Sequence, residues 1–493
     1  MSSPLSSQRE AGASPYAVLN WLVVAAFVVI LNETVMVNAI PRLMAQFDVT
    51  ESAGQWLSTA FMLTMAVVIP TTGWILQRFT TRQTFAAAMA TFIAGTVLAA
   101  AAPTFGVLIA ARVVQATGTA VMIPLLMTTL MTIVPEHDRG RVMGNVTLAI
   151  SVAPALGPTV AGVILQVASW RWLFLVMLPI AAVITVAALR KLTDVGETKP
   201  GSLDVPSLLL AALGFGSLVF GLSALGPEAA APTSPWLLIG GGLAVVAVFA
   251  WRQRRRVRHP DGPLLDLRTL AHATYAKAIV LQACAFLTMM GAMILLPLTL
   301  QDLRGLSALS TGLLVAPGGL AMGLAGPRVG RAYDRVGARL LMIPGSIAVV
   351  AGLAALSMLA ATGPLPLVVA AHLVLMVGLA TLMAPAFTLG LGALPMELYS
   401  HGSSLLGATQ QVAAAIGTAV SVAVLAGRSA SLSAAGAAPD VAYAGGVAWA
   451  FGAAALIGLV TVALAVSMPN RPAAPAEASA DEEDAERTST VEA

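Results

Sequence analysis

Charge is what this 493-residue chain has least of. Asp, Glu, Lys and Arg together make up 10% of it, hydrophobic residues 58%, and the mean hydropathy is +0.87. A water-soluble chain carries about 25% charged residues, so most of this surface does not face water. Cysteine is nearly missing. Cys284 stands alone, which excludes an intramolecular disulfide and any Cys-based metal site. The dipeptide Gly-Lys never occurs, so no phosphate-binding P-loop is present. HExxH and GxSxG are missing too, and with them two common hydrolase signatures. The sequence points to no metal, no organic cofactor and no enzyme. An energised transporter without an ATP site must draw on an ion gradient.

What the chain has instead is apolar runs of about 20 residues, the length that crosses a bilayer as helix. Fourteen occur, within 16–40, 52–76, 83–102, 105–132, 142–168, 171–189, 203–225, 235–251, 275–300, 308–328, 340–361, 364–393, 403–426 and 443–468. The expected fold is an all-α polytopic membrane protein. Connections read as short except around 190–202, 252–274 and 427–442. The first run is too long for a signal-peptide core, so it is expected to stay. With the N-terminus in the cytoplasm, 21 of the 26 Lys and Arg fall on the cytoplasmic side. Arg42, Arg171, Arg304 and Arg428 fall outside and Arg112 lies within a span. Cytoplasmic loops hold the Lys/Arg excess, so both termini are expected in the cytoplasm. The densest cluster, WRQRRRVRH at 251–259, reads as an anchor beside anionic lipid, not as a nucleic-acid site. The tail from Pro469, with DEEDAE at 481–486, has too few large apolar residues to fold.

A weak repeat links GWILQRFTTR (73–82) with GRAYDRVGAR (330–339). It pairs runs one to six with runs nine to fourteen. The expected domains are a cytoplasmic segment 1–15, an N-terminal six-helix bundle 16–190, and two linker helices with a basic loop 191–274. A C-terminal six-helix bundle 275–468 and an acidic cytoplasmic tail 469–493 complete the chain. Two halves with a helper pair between them is transporter architecture.

Polar residues inside the runs carry the candidate chemistry. Glu33 lies about two-thirds of the way along a run that begins near Tyr16. A charge at that depth costs on the order of 2.5–3.5 kcal/mol on insertion scales, so it should face protein or a water-filled cavity. Desolvation favours the neutral form of a carboxylate, which suits Glu33 to binding and releasing a proton. The bland alternative is a structural carboxylate held by a neighbouring helix. Arg112, Gln115 and Thr119 share one face of the fourth run. Arg112 needs a partner because it does not deprotonate, and Glu33 or helix-end carbonyls are the candidates. Asn32, Asn38, His372, Gln410 and Gln411 complete the expected substrate cavity. Histidine can relay protons in a membrane, although a packing histidine is the simpler reading of His372. The fifth run contains SVAPALGPTVAG (151–162), where Pro154, Gly157, Pro158 and Gly162 allow bending or close helix approach. The 21 Met residues suit an adaptable apolar cavity, and equally ordinary packing.

These residues resemble the major facilitator superfamily, and within it the fourteen-helix drug:proton antiporter family of the EmrB/QacA type. The likeness covers about residues 16–468. Arg112, Gln115 and Gly118 match its RxxQG motif; Gly157, Pro158 and Gly162 match its antiporter motif. SWRWLFLVMLP (169–179) matches its WRWxF segment. Gly330, Asp334, Arg335, Gly337 and Arg339 match GxxxDRxGxR, and 402–419 is similar to its span-thirteen signature. The earlier loop departs from the pattern. Gly73 and Arg78 remain, but Gln77 stands for Asp and Thr80 for Gly. In span one the family reads LDxTIVNVALP and this chain LNETVMVNAIP, so Asn32 takes the acidic position and Glu33 follows it. Gln410 stands where relatives often have Arg.

The resemblance implies a proton-coupled exporter that works by alternating access. Glu33 and Arg112 would couple protons; Gly73, Arg78, Gly330, Asp334, Arg335 and Arg339 would gate. Expected partners are a small amphipathic substrate, protons and membrane lipid, with the protein a monomer and no nucleic acid bound. The alternatives are a dedicated exporter of one endogenous metabolite or antibiotic, and a membrane sensor or lipid-handling protein reusing the fold. Heavy use of Arg over Lys suggests a GC-rich bacterial genome and so the bacterial inner membrane.

Overall fold

The computed structural model describes residues 15–37, 39–195, 198, 201–225 and 233–471. Among the described residues, fourteen helices are long and apolar enough to cross a membrane. They are α1 (Val18–Met36), α2 (Ala53–Arg78), α3 (Thr81–Ala100), α4 (Phe105–Ile133), α5 (Glu136–Val167), α6 (Arg171–Lys191), α7 (Val205–Ser223) and α8 (Pro235–Arg256). The series continues with α9 (Ala273–Leu303), α10 (Leu309–Val336), α11 (Arg339–Leu359), α12 (Leu365–Gly392), α13 (Met396–Ala434) and α14 (Pro439–Ser467). Among the described residues there is no strand. An apolar medium leaves backbone groups no partner but their own helix. Lipid-side exposure is plain where large apolar side chains face outward, as at Val183, Leu309 and Met358.

Hydroxyl residues mark helix starts. Thr50, Thr104 and Ser307 each accept from the backbone N–H three residues on. Thr80 does so within a full capping box with Gln83, so its departure from the family's glycine starts a helix. The long connection expected at 427–442 is mostly absent. α13 continues to Ala434 because Ala and Ser tolerate helix, and Gly436 at φ +86° ends it.

Helices α1–α6 share one apolar core, built around Phe85, Phe92, Trp170 and Phe174. Helices α9–α14 build another around Leu281, Leu353, Leu375 and Phe451. The two halves repeat each other closely. A Cβ on Gly95 would press on Gln115, and one on Gly352 would press on Leu375. A Cβ on Gly118 would meet Ala88 O and Phe92 N; on Gly378 it would meet Gly345 O and Val349 N. One shift thus carries α3 onto α11, with Gly95 becoming Gly352. Another carries α4 onto α12, with Gly118 becoming Gly378 and Gln115 becoming Leu375.

Helices α7 and α8 pack on each other and dock on α2 and α13. Trp56 meets Phe220 at 5.5 Å between ring centroids, and Leu218 and Leu222 pack with Ala419. At the basic end Asp204 locks the pair. It accepts from Arg252 at 2.8 Å and from Ser207, with Arg256 at 3.2 Å. Gln253 joins the same knot, donating to Ser207 and accepting from Leu264 and Leu265 backbone N–H. Burial pushes the Asp204 carboxyl up, but the hydrogen bonds from Arg252 and Ser207 and the nearby guanidinium charges hold it below the usual carboxylate range. A depressed carboxyl contributes its stability above the unfolded pKa, about 3.9, and loses it as pH falls through the folded value. Asp204→Asn should therefore lower the melting temperature at pH 7, by an amount matching about 3 kcal/mol for a broken buried pair. The deficit should shrink below pH 4; melting curves at pH 7 and pH 3.5 check it.

Candidate proton and substrate site

The fourth helix carries the centre of the site. Arg112 is fully buried and its Nη1 donates to Gln115 Oε1 at 3.0 Å. Its Nε donates to the Leu57 carbonyl at 3.4 Å, and its Cζ lies 4.1 Å from the Phe61 ring centroid. Gln115 Nε2 donates onward to Asn32 Oδ1 at 3.2 Å and Thr96 Oγ1 at 2.9 Å. Four helices are thus tied by one amide and one guanidinium. The polar face expected from the spacing of Arg112 and Gln115 is real. Thr119 also lies on it but donates only to the Gln115 carbonyl. Gln115 and Thr119 are both closed in the helix interface, so in this conformation neither lines open space.

Asn32 and Glu33 divide the work. Asn32 is buried and points into the α4 network. Glu33, about 100° further around the helix, remains partly accessible. Its carboxylate makes no hydrogen bond or ion pair among the described residues, yet it lies within electrostatic range of Arg112. Next to it, Thr34 is packed against Gly157 of α5, where any Cβ would collide. Gly157 is therefore the close-approach glycine of the 151–162 segment. Gly162 faces open space, and Pro154 and Pro158 lie within a continuous helix. Asn38 lies outside the described residues, as does the Pro158 side chain. Gln410 and Gln411 are half-buried and make no hydrogen bond among the described residues. His372 is in a different place. It is buried among Leu296, Leu300, Leu314, Leu365 and Val368 of the second half.

The expected gating residues collect at the basic end, where the halves meet. Asp334 of α10 accepts from the Gly140 and Arg141 backbone N–H groups, both at 2.7 Å. These are first-turn donors of α5 that no helix carbonyl satisfies. Gly330 and Gly326 lie against Gly140 and Gly144 with no room for a Cβ on either side. The related contact of the other half joins Gly73 to His401 and Ser404, and Thr72 Oγ1 to Ser404 Oγ at 2.6 Å. Gln77, the counterpart of Asp334, donates to the Glu397 carbonyl at 3.1 Å. Arg78 donates to the Asp261 carbonyl at 2.5 Å, in the loop after α8. Arg335 and Arg339 side chains are exposed and form no ion pair among the described residues. Towards the other end, Gly162 of α5 and Gly312 of α10 have no neighbour in reach. The halves are thus in close contact at the basic end. Gly330→Leu should force them apart, because overpacking costs about 1–3 kcal/mol. That corresponds to a change of about 5- to 150-fold in the closed population. Labelling of Ser404→Cys in a Cys284→Ala background should rise accordingly.

Sequence reasoning missed Thr96 and Phe61, which complete the Arg112 site. It also missed the clamp of Asp204, Gln253 and Asp261. The clamp was legible as Asp204 immediately before an apolar run; the others carry no signal in one sequence. The WRWxF segment proves structural. Trp170 Nε1 donates to Gln46 at 2.6 Å, and Arg171 donates to the Ala102 carbonyl at 3.0 Å.

The Major Facilitator Superfamily model matches residues 22–418. The chain belongs to the major facilitator superfamily. It is a multi-pass membrane transporter, not an enzyme, and small-molecule substrates are implied by that membership. The lincomycin resistance protein LmrB of Listeria monocytogenes is 37% identical over 83% of this chain and 86% of its own. The multidrug resistance protein B homolog of Mycobacterium tuberculosis is 30% identical over 81% of this chain and 74% of its own. Among solved structures, the human organic anion transporter MFSD10 (TETRAN) superposes with a TM-score of 0.65 at 14% identity, covering 92% of this chain and 99% of that one. That match supports the superfamily fold of two six-helix bundles, here with two extra helices.

Proposed function

We propose that this superfamily member is a drug or metabolite:proton antiporter of the bacterial cell membrane. It works as a monomer with both termini in the cytoplasm. The observation that carries the reading is Glu33: a partly accessible carboxylate with no bonded partner among the described residues, beside a buried guanidinium whose hydrogen bonds go elsewhere. A group so placed can bind and release a proton when one end of the molecule opens to water. The relatives named for lincomycin and multidrug resistance support export of amphipathic antibiotics, lincosamides first. The basic loops, which would face the cytoplasm, are on the side where the halves touch, so this conformation keeps the site from the cytoplasm.

In the cycle, protonation of Glu33 removes its attraction to Arg112 and permits the halves to rock. With the basic end open, the substrate binds near Glu33 and the proton leaves to the cytoplasm. The membrane potential and proton gradient then favour the return. Asn32, Gln115 and Thr96 hold Arg112 in one orientation throughout. Gln410 and Gln411 offer unengaged amides to a polar substrate group. The test uses inside-out vesicles with an imposed proton gradient and a lumenal pH dye. Addition of lincomycin or lipophilic cations should release protons from vesicles that hold the protein and not from those that lack it. If no compound in the panel does so, drug antiport is wrong as stated.

A further inference from the structure

The repeat places one more ionisable group where the mechanism above has no use for it. The shift that carries Gly118 onto Gly378 and Gln115 onto Leu375 carries Arg112 onto His372. The helix limits agree: α4 and α12 begin seven residues before Arg112 and His372, at Phe105 and Leu365. Each ends in a Pro followed by a 3-10 turn, Glu136–Asp138 and Met396–Leu398. The two sites differ in what surrounds them. Arg112 has the Leu57 carbonyl, Gln115 and the Phe61 ring. His372 has 2% exposure, and no side chain among the described residues offers either ring nitrogen a hydrogen bond. The Val315 carbonyl faces the ring and is the one backbone group among the described residues that can accept from it.

One carbonyl can satisfy only one ring nitrogen, so at least the other is left unpaired, which is unfavourable in an apolar site. Such a group persists where another conformation makes use of it. We propose that His372 is a second proton-binding site, empty in the conformation seen here and filled when α10 moves away from it. The contact that closes it is specific. Gly318 of α10 presses against Cδ2 and Nε2 of the ring, and a Cβ there would overlap both atoms. Pro317 precedes Gly318 inside the helix, so the backbone lacks a hydrogen bond where the wall would bend. α10 is also the helix that carries Asp334 at the basic-end closure. A change at that end therefore reaches the His372 wall through one helix.

The charges around the site do not stand in for a partner. On α9 and the turn after it, Asp302 contacts Tyr443 of α14, and Arg304 donates to the Leu359, Ala361 and Gly363 carbonyls ahead of α12. The charged residues of α5, α10 and α11, from Glu136 to Arg141 and from Arg328 to Arg339, lie at the basic end. No charged side chain among the described residues therefore serves His372 as a partner, and Gly318 covers the ring in this conformation.

The proposal rests on the proton-coupled reading, and its test separates the two. Full-length protein in nanodiscs is titrated from pH 8 to pH 5 with a proton-counting indicator, as wild type, His372→Gln, Gly330→Leu and the double variant. Opening the basic end with Gly330→Leu should raise proton uptake by about one per monomer, and His372→Gln should remove that extra proton. Histidine carbon NMR on the same samples reads the ring directly and does not depend on transport. Its expected sign is one resonance that titrates in Gly330→Leu and is lost in the double variant. Equal proton counts and no titrating resonance assigned to His372 in the opened variant would overturn the proposal. If wild-type vesicles show no substrate-driven proton release while His372 still titrates on opening, antiport fails and the proton site stands.

Discussion

Glu33→Gln should abolish substrate-driven proton release, reducing it to the level of vesicles without the protein, while the amount of protein in the membrane stays the same. The substitution keeps the volume and removes only the ability to ionise. Glu33 makes no hydrogen bond that could be lost among the described residues; what the substitution removes is its attraction to the buried Arg112. Removing a charge that costs on the order of 2.5–3.5 kcal/mol at bilayer depth offsets the lost attraction to Arg112, so the melting temperature should change little. Loss of transport together with undiminished stability is the pattern of a coupling group. A structural carboxylate would give the opposite pattern, a lower melting temperature with efflux in proportion. A double variant asks whether position matters as much as chemistry. Asn32→Asp with Glu33→Gln moves the acid to the position where the family has it, within reach of Gln115 Nε2. Partial recovery of coupling would show that the charge near Arg112 is what counts. Normal efflux in Glu33→Gln alone would sink the assignment.

How much could be read from the sequence follows from the physics of each feature. The helices were legible because lipid leaves the backbone one solution, and apolar length alone announces it. The polar stripe of α4 was legible because Arg112 and Gln115 are three residues apart and helix geometry does the rest. The partner of Arg112 was not. Whether a guanidinium meets Glu33, Gln115 or the Leu57 carbonyl depends on how four helices rotate against one another, and no local pattern records that. The same limit explains His372. Its residue type suggested the substrate cavity, but its position on α12 turns it into the apolar interior of the second half. Only the repeat, fixed by paired glycine contacts, shows which residue of the first half it corresponds to. The Ala- and Ser-rich stretch after residue 427 was mistaken for a loop because its composition suits both states, and tertiary packing decided for helix.

Asp334→Asn should leave the basic end open for most of the time and cut efflux sharply. The Asp334 carboxylate holds two first-turn N–H groups of α5, Gly140 and Arg141, at 2.7 Å each. An asparagine offers one acceptor; its amide would turn a donor towards the second N–H. The loss combines a hydrogen bond to a charged acceptor, about 1.5–3 kcal/mol, with a negative charge at a helix N-terminus, about 0.3–1 kcal/mol. Together these shift the closed-to-open ratio by roughly 20- to 1,000-fold, at 1.4 kcal/mol per factor of ten. The other half shows what a closure without this carboxylate looks like. There Gln77 bonds a single carbonyl, that of Glu397, and the contact relies on Gly73 and on the Thr72–Ser404 pair. The contact at the basic end is therefore held mainly from one side, by α10 on α5. Gln77→Asp should build the missing counterpart, since its carboxylate would face the start of α13 as Asp334 faces the start of α5. In an Asp334→Asn background it should restore part of the closed population, and in the wild type it should slow opening. Cysteine labelling at Ser404 reads both. Wild-type labelling in Asp334→Asn would mean that glycine packing alone shuts the basic end and that the carboxylate serves only to start a helix.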